Sequence, residues 1–136
     1  MGRLLDTGKP EDLKTVLRLI PLPAELGIGG HISSGWLLSK LDQAGAVLPC
    51  GEFAAPVMLT ELGPITIYRT PRLGDCVTFR AKLIRSSAES AEVEIEAVTE
   101  GRDGSGQVRV LRTRLTYVPA PQDEAAAFFS TPFNQH

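Results

Sequence analysis

Cysteine, histidine and aromatic residues are scarce in this sequence, and it has no long apolar run. The 136 residues include two cysteines and two histidines, and aromatic residues make up 6% of the chain. Cys50 and Cys76 lack close metal-ligand spacing and are too few to form a disulfide framework, which predicts reduced thiols and no metal site. The formal net charge of -2 gives no global basic field for nucleic acid. Since no stretch can span a membrane or serve as a leader peptide, we expect a cytoplasmic protein.

The rest of the composition is typical of one globular domain. Apolar residues make up 43% of the chain and charged residues 22%. A chain of this length can enclose one sizeable core but hardly two. We therefore expect a single domain over residues 1–136, with its core at about 14–118 and a C-terminal tail at 119–136 that is loose or forms a short docked helix.

A strand, a glycine-rich loop and a helix are predicted in that order in the first half of the chain. The segment LKTVLRLIPLP fits a helix or a strand by its apolar pattern, but its β-branched residues and its two prolines favour a strand that ends there. After the loop AELGIGG, Ser33 or Ser34 is a plausible N-cap of a helix. Pro49 and Gly51 mark the expected end of that helix. Its apolar stripe at helical spacing consists of Leu37, Leu41, Ala44 and Leu48.

One carboxylate, Asp42, lies at the edge of this apolar stripe. At about 100° per residue it is placed beside Leu38 and Gly45. Such a carboxylate needs either a partner or a chemical task. It is therefore either a catalytic group or a structural acid paired with an arginine such as Arg69. The residues on its other flank are all small, which lets a chain segment or a ligand come close: Gly35, Ser39 and Ala46.

About five strands follow the helix and are expected to form an antiparallel meander. PVMLTEL and ITIYRT are short candidates, PRLGD and GRDGSG are turns, and three longer strands show period-two alternation. In the last strand the phase changes, which suggests a bulge near Val110–Leu111. The side chains that share the inner face are Val77, Phe79, Ala81, Leu83, Val93, Ile95, Ala97, Leu111, Thr113, Leu115 and Tyr117.

Opposite charges on the outer faces of the three long strands support this order. Cross-strand pairs of this kind contribute roughly 0.2–1 kcal/mol each. We therefore favour a structural role for these basic residues over a ligand role. The middle strand carries Glu92, Glu94 and Glu96, and its neighbours carry Arg80, Lys82, Arg112 and Arg114.

One helix that is apolar over most of its surface and one long antiparallel sheet must bury each other. A curved sheet of about five to six strands wrapped around a single central helix satisfies this requirement. The sequence thus predicts an α+β protein with the arrangement of the hot-dog fold.

Three stretches together resemble the hot-dog acyl-coenzyme A thioesterases of the bacterial acyl-CoA hydrolase type. They are GGHISSGWLLSKLDQAGA, IYRTPRLGDCVTFRAKLIRSS and AEVEIEAVTEG, and the resemblance runs from about Leu17 to Val118. The portion WLLSKLDQAGA and the turn RTPRLGDCV are its most specific parts. The resemblance implies an enzyme that hydrolyses acyl-CoA to a carboxylic acid and free coenzyme A, with no cofactor besides the coenzyme A of the substrate. It also implies a homodimer, which in this family often assembles further into a tetramer or hexamer.

The resemblance also assigns catalytic roles. Asp42 falls on the helix carboxylate, which acts as general base on water or as nucleophile against the thioester carbonyl. His31 falls where the family has an Asp or Asn that polarises the thioester or positions water. Gly35 and Trp36 fall on the helix start, whose backbone amides form an oxyanion hole; free N–H donors and positive potential suit a developing oxyanion there. His31 of one chain is expected to face Asp42 of the other at the dimer seam.

Further residues are assigned to substrate binding. Ser34 belongs to the loop that positions the substrate. Thr60, on a strand expected to run along the helix, either orients water or is a good strand former only. Arg85, Ser86 and Ser87 fall where some relatives contact the phosphates or pantetheine of coenzyme A, which suits the planar charged fork of arginine. Their alternative is a solvated hairpin turn.

The loop before the helix departs from the family pattern. Ser34 stands in place of the first glycine of a Gly-Gly pair, Ser33 in place of Phe or His, and the family's Asn falls on Gly27 or Gly29. A second hypothesis is therefore a non-catalytic hot-dog protein that binds acyl-CoA as a sensor. A hot-dog dehydratase, which needs a histidine near an acid, is left open by His31.

Overall fold

The computed structural model describes residues 3–4, 12–100 and 106–121. The strands and helices in these ranges are β1 (Arg3–Leu4), β2 (Lys14–Leu19), α1 (Ser34–Gly45), α2 (Val47–Phe53), β3 (Val57–Leu62), β4 (Thr66–Ile67), β5 (Cys76–Ser86), β6 (Ala91–Glu100) and β7 (Gln107–Pro119). From β2 onwards this is the order that the sequence predicted. Most of the expected tail and of the expected turn GRDGSG lies outside the described residues.

The strands form one antiparallel sheet. β5, β6 and β7 lie side by side at its centre. β1 and β2 both pair with β5 along one side, and β3 and β4 both pair with β7 along the other. One helical segment thus packs against one antiparallel sheet, as predicted.

The core lies between α1 and the inner face of the sheet. Leu37, Leu41 and Ala44 of the apolar stripe are at most 1% exposed. Burial of each large apolar side chain contributes roughly 1.5–3 kcal/mol. The predicted alternation of faces is confirmed, because the strand residues in this core include Val77, Phe79, Ala81, Val93, Ile95, Ala97, Leu111, Leu115 and Tyr117.

The predicted bulge in β7 is confirmed. Ala97 pairs with Leu111, but the next residue, Val98, pairs with Arg109. Val110 is therefore the extra residue, and both Val110 and Leu111 are buried. One additional residue reverses the alternation, which explains why the two halves of β7 are out of phase.

The helical segment ends later than the sequence predicted. Instead of stopping at Pro49 and Gly51, the chain continues as α2 to Phe53, and Ala54 adopts a left-handed conformation with φ 51°. Pro49 lies in the first turn of α2, where proline is tolerated because the amides there have no intrahelical acceptor. The break at Ala46 creates this first turn. No helix in the described ranges is long and apolar enough to cross a membrane.

The charged residues on the outer face of the sheet form ion pairs between neighbouring strands. Arg80 Nη2 lies 2.8 Å from Glu96 Oε1, and Arg112 pairs with Glu94. Glu94 and Glu96 are nearly inaccessible to solvent. The predicted structural role is confirmed for these two pairs.

Candidate active site

The start of α1 is fixed by Ser33, one of the two predicted N-caps. Its Oγ accepts a hydrogen bond from the Trp36 amide at 3.2 Å. The Trp36 side chain is buried in the core. The Trp36 amide, which was predicted to contribute to the oxyanion hole, is therefore already engaged by the N-cap. The amides of Ser34 and Gly35 remain as the donors at the helix start, where a helix offers no acceptor of its own. A Cβ built at Gly35 meets no atom within 4 Å, so the space beside this turn is open.

The loop before α1 is a tight turn that presents His31 to solvent. The Gly27 amide donates to the His31 carbonyl at 2.7 Å, and Leu26 forms a β-bridge with Ile32. Gly29 and Gly30 have φ of 91° and 81°, a conformation that other residues rarely adopt. These contacts hold the backbone of the loop while the imidazole stays exposed.

Two cavities at the helix start share His31 and Thr70. The first has a volume of about 320 Å³ and also borders Ser34 and Ile67. The second has a volume of about 520 Å³, and Arg69 and Arg72 supply its positive charge. No ion pair of either arginine occurs in the part of the chain that the structure describes. The helix start is therefore bordered by space that suits an uncharged group near Ser34 and an anionic group near the arginines.

Asp42 is exposed on α1 at the border of a third, apolar cavity. This cavity has a volume of about 190 Å³, and its other lining residues are all leucines: Leu38, Leu41, Leu59, Leu62 and Leu115. Among the described residues Asp42 forms no ion pair, with Arg69 or otherwise. A structural acid paired with Arg69 thus finds no support in the geometry.

Tyr117 is a residue near Asp42 that the sequence analysis placed in the core without a function. Its hydroxyl lies 3.0 Å from Asp42 Oδ1 and 3.0 Å from the Asp42 carbonyl oxygen. Burial, followed by the charge and the hydrogen bond of Asp42, raises the pKa of this hydroxyl. A tyrosine on the inner face of a strand needs a hydrogen-bond partner for its buried hydroxyl. The position of Tyr117 on that face was therefore the feature of the sequence from which a polar contact could have been predicted.

The remaining site residues predicted from the sequence lie elsewhere in the chain. Thr60 is exposed on β3, and its hydroxyl donates to the Thr116 carbonyl at 3.3 Å. Ser86 donates to Glu52 in α2 at 3.1 Å, and Ser87 accepts hydrogen bonds from two amides of the β5–β6 turn. Because Glu52 belongs to the far end of the helical segment, a single chain does not bring Ser86 to the helix start. No three His, Cys, Asp or Glu side chains are grouped as a metal site within the described ranges.

No family model matches this sequence. It is, however, similar to curated proteins of one kind. An uncharacterized acyl-CoA thioester hydrolase of Zymomonas mobilis, ZMO0511, is 25% identical over 107 residues, which cover 79% of this chain and 72% of that protein. An uncharacterized acyl-CoA thioester hydrolase of Buchnera aphidicola is 31% identical over 83 residues, or 61% of this chain and 62% of its own length. Acyl-CoA thioester hydrolase YciA of Escherichia coli is 31% identical over 81 residues, so the chain spans about three fifths of it.

Solved structures lead to the same fold. The hexameric thioesterase y2039 from Yersinia pestis superposes with a TM-score of 0.76 and 25% identity, over 81% of this chain and 90% of that one. Cj0915, a hexameric hot-dog-fold thioesterase of Campylobacter jejuni, gives a TM-score of 0.73 and 23% identity, over 80% and 84%. The predicted fold and the predicted resemblance are therefore confirmed: this chain has the hot-dog fold and is similar in sequence to acyl-CoA thioester hydrolases.

Proposed function

We propose that this protein is an acyl-CoA thioesterase that hydrolyses acyl-CoA to a carboxylic acid and free coenzyme A. The observation that carries the proposal is Asp42, an exposed carboxylate that borders a leucine-lined cavity and forms no ion pair with any residue that the structure describes. Ligand sites are typically apolar cavities with a few polar groups, and hydrolysis of a fatty thioester requires both a base and an apolar binding site. The sequence relation to acyl-CoA thioester hydrolases supports the same reaction.

In this proposal Asp42 attacks the thioester directly or through water. As general base it accepts a proton from water while the water oxygen bonds to the carbonyl carbon. The C–S bond then breaks, and the proton passes from Asp42 to the departing thiolate of coenzyme A. As nucleophile its oxygen instead bonds to the carbonyl carbon while the C–S bond breaks and coenzyme A leaves as the thiolate, which gives an acyl-enzyme anhydride. Water then hydrolyses the anhydride to the carboxylic acid and the free Asp42 carboxylate, and the proton that is released neutralises the thiolate. In both routes the carbonyl oxygen becomes an oxyanion, for which the amides of Ser34 and Gly35 are suitable donors.

The length of α1 supports a site that is built from two copies of the chain. Ser34 and Asp42 are eight residues apart, which corresponds to about 12 Å along a helix. A carbonyl held at the helix start is thus out of reach of the same chain's Asp42. We propose a homodimer in which His31 and the helix start of one copy face Asp42 of the other, with the cytoplasm as its location. Hexameric relatives of the same fold agree with an oligomer.

The outer edge of β3 is the surface that we assign to this dimer. Among the strands that the structure describes, β3 pairs with β7 alone and is the terminal strand of the sheet order. Its Met58 and Leu62 are 40% and 53% exposed, and Leu38 of α1 is 41% exposed beside the Asp42 cavity. An unpaired strand edge beside exposed apolar side chains is a natural site for antiparallel pairing with a second copy. Such pairing would cover the Asp42 cavity and place a second helix start near it.

The cationic cavity beside His31 suits the phosphates of coenzyme A. Arg69 and Arg72 line a volume of about 520 Å³ that adjoins the helix start through His31 and Thr70. Guanidinium groups bind phosphate through charge-assisted hydrogen bonds. The predicted contacts of Arg85, Ser86 and Ser87 with coenzyme A stay a prediction, and they require that a neighbouring copy supplies these residues.

The proposed function is tested by thiol release from a panel of thioesters that runs from acetyl-CoA to palmitoyl-CoA and includes an aryl-CoA. We expect turnover of at least one of them, and the leucine lining of the Asp42 cavity favours aliphatic acyl groups. Equilibrium binding of the same panel is measured in parallel. Tight binding without release of thiol from any substrate would rule out the proposed thioesterase activity. It would support the alternative, a non-catalytic protein that binds acyl-CoA.

A further inference from the structure

The hydroxyl of Tyr117 holds Asp42 from its buried side. Tyr117 is 1% exposed, whereas Asp42 is exposed to solvent. The hydroxyl lies at 3.0 Å from both Asp42 Oδ1 and the Asp42 carbonyl oxygen. The carbonyl already accepts the helical hydrogen bond of the Ala46 amide at 3.1 Å. The single hydroxyl proton is shared between these two acceptors, and its bond to an ionised Oδ1 is the stronger one because it is charge-assisted.

Gly45 provides the space for this contact. It follows Asp42 by three residues and therefore lies on the same face of α1. A Cβ at this position would lie 2.6 Å from the Tyr117 hydroxyl oxygen and 2.5 Å from Leu115 Cδ1. Any side chain at position 45 would thus displace Tyr117 or Leu115. The absence of a side chain at Gly45 thus leaves room for the Tyr117 side chain of β7 beside Asp42.

A hydrogen bond on Oδ1 has two consequences for the carboxylate. It restricts the rotation of the Asp42 side chain, and it engages only one of the two carboxylate oxygens of this exposed residue. A charge-assisted bond to a buried donor is also stronger than one to water, because the donor keeps its geometry. The hydroxyl stays protonated over the working pH range since burial opposes its ionisation.

We propose that Tyr117 is a positioning residue, which orients the Asp42 carboxylate for attack on the thioester, and that Gly45 is required for this contact. This inference rests on the proposed thioesterase function. The side chain of Tyr117 is too deeply buried to contact the substrate, so it acts through Asp42 alone.

Steady-state kinetics of Tyr117→Phe test the inference, with Tyr68→Phe as the matched control. Tyr68 is 59% exposed and lines none of the three cavities, so we expect its change to phenylalanine to leave turnover at the wild-type value. In Tyr117→Phe we expect kcat to fall about 10- to 100-fold, as for other losses of orientation. KM stays within about threefold, because the substrate does not contact the hydroxyl. In the Asp42→Asn background, Tyr117→Phe causes no additional loss, because its effect requires the carboxylate. An unchanged kcat, or an equal loss in both backgrounds, would overturn the proposal.

A second readout does not depend on activity. In the Tyr68→Phe chain Tyr117 is the sole remaining tyrosine, so its ionisation can be followed by the ultraviolet absorbance of tyrosinate. Adding Asp42→Asn removes the neighbouring charge, and we expect Tyr117 to ionise at a lower pH. An identical titration in both chains would show that the contact is not formed. If the contact is present but the wild-type protein releases no thiol, the thioesterase function itself fails and the positioning role fails with it.

Discussion

His31 lies in the loop before α1, Asp42 lies more than two turns into that helix, and the two residues line different cavities. His31 borders the two cavities at the helix start, and Asp42 borders the leucine-lined cavity on the flank of the helix. A single chain therefore carries two separate half-sites. The one at the helix start supplies the hydrogen-bond donors, and the one on the helix flank supplies the carboxylate. This separation is the reason for proposing that two copies complete each active site.

Mixed oligomers test the shared site. A chain with His31→Ala and a chain with Asp42→Asn are each expected to be impaired, and co-expression lets them pair. Random pairing makes half of the dimers mixed, and each mixed dimer contains one intact site, so activity should return to about a quarter of the wild-type value. The measurement is thiol release by the co-expressed protein relative to each variant alone. Activity no higher than that of the separate variants would show that His31 and Asp42 of one chain act together.

Arg72→Gln tests the cationic cavity. We expect KM for acyl-CoA to rise about tenfold or more, because a charge-assisted phosphate contact contributes roughly 1.5–3 kcal/mol. The same variant should hydrolyse an acyl-pantetheine thioester, which lacks the nucleotide, at the wild-type rate. Arg109→Gln, on the outer face of the sheet near Glu96, is the matched control. An equal effect of Arg72→Gln on both kinds of substrate would contradict the assignment of phosphate binding.

The raised pKa of Tyr117 predicts that the protein loses stability at alkaline pH. Its pKa is raised by burial and by Asp42, whereas an unfolded tyrosine ionises near pH 10. Above about pH 10 the unfolded state loses a proton that the folded state retains, so the free energy of unfolding falls by up to about 1.4 kcal/mol per pH unit. Below that pH both states are protonated, and this contribution does not vary. Urea denaturation at neutral and alkaline pH should show a smaller alkaline loss for Tyr117→Phe than for the wild type. Equal losses would mean that Tyr117 titrates normally in the folded protein.

The sequence predicts the sheet well because period-two alternation is a local pattern. The inner faces of β5, β6 and β7 follow from it, and the change of phase identifies the bulge at Val110. The end of the helix was predicted wrongly because Pro49 is compatible with the first turn of a second helix, and only the break at Ala46 creates that turn. Whether a proline ends a helix or begins one depends on such neighbouring backbone geometry.

The candidate site is less accessible to sequence analysis because its contacts join distant parts of the chain. Asp42 could be found because a carboxylate beside an apolar stripe is conspicuous by itself. Its contact with Tyr117 spans 75 residues and depends on the register of β7. Arg69 was considered as a partner of Asp42, but it lines the cavity at the helix start. That placement depends on how the segment between β4 and β5 passes the His31 loop, which no local pattern specifies.

The catalytic role of Asp42 is best tested by the kinetics of Asp42→Asn measured beside those of Asp12→Asn. Asp12 is exposed ahead of β2, so the same chemical change there controls for the loss of one charge. Free thiol released from the best substrate of the panel is followed for both variants and the wild type, after urea denaturation has shown that all three are equally folded. We expect Asp42→Asn to lose about 100-fold or more in kcat, the usual contribution of a general base, while Asp12→Asn retains the wild-type rate. Turnover by Asp42→Asn at the wild-type rate would show that Asp42 is neither the general base nor the nucleophile.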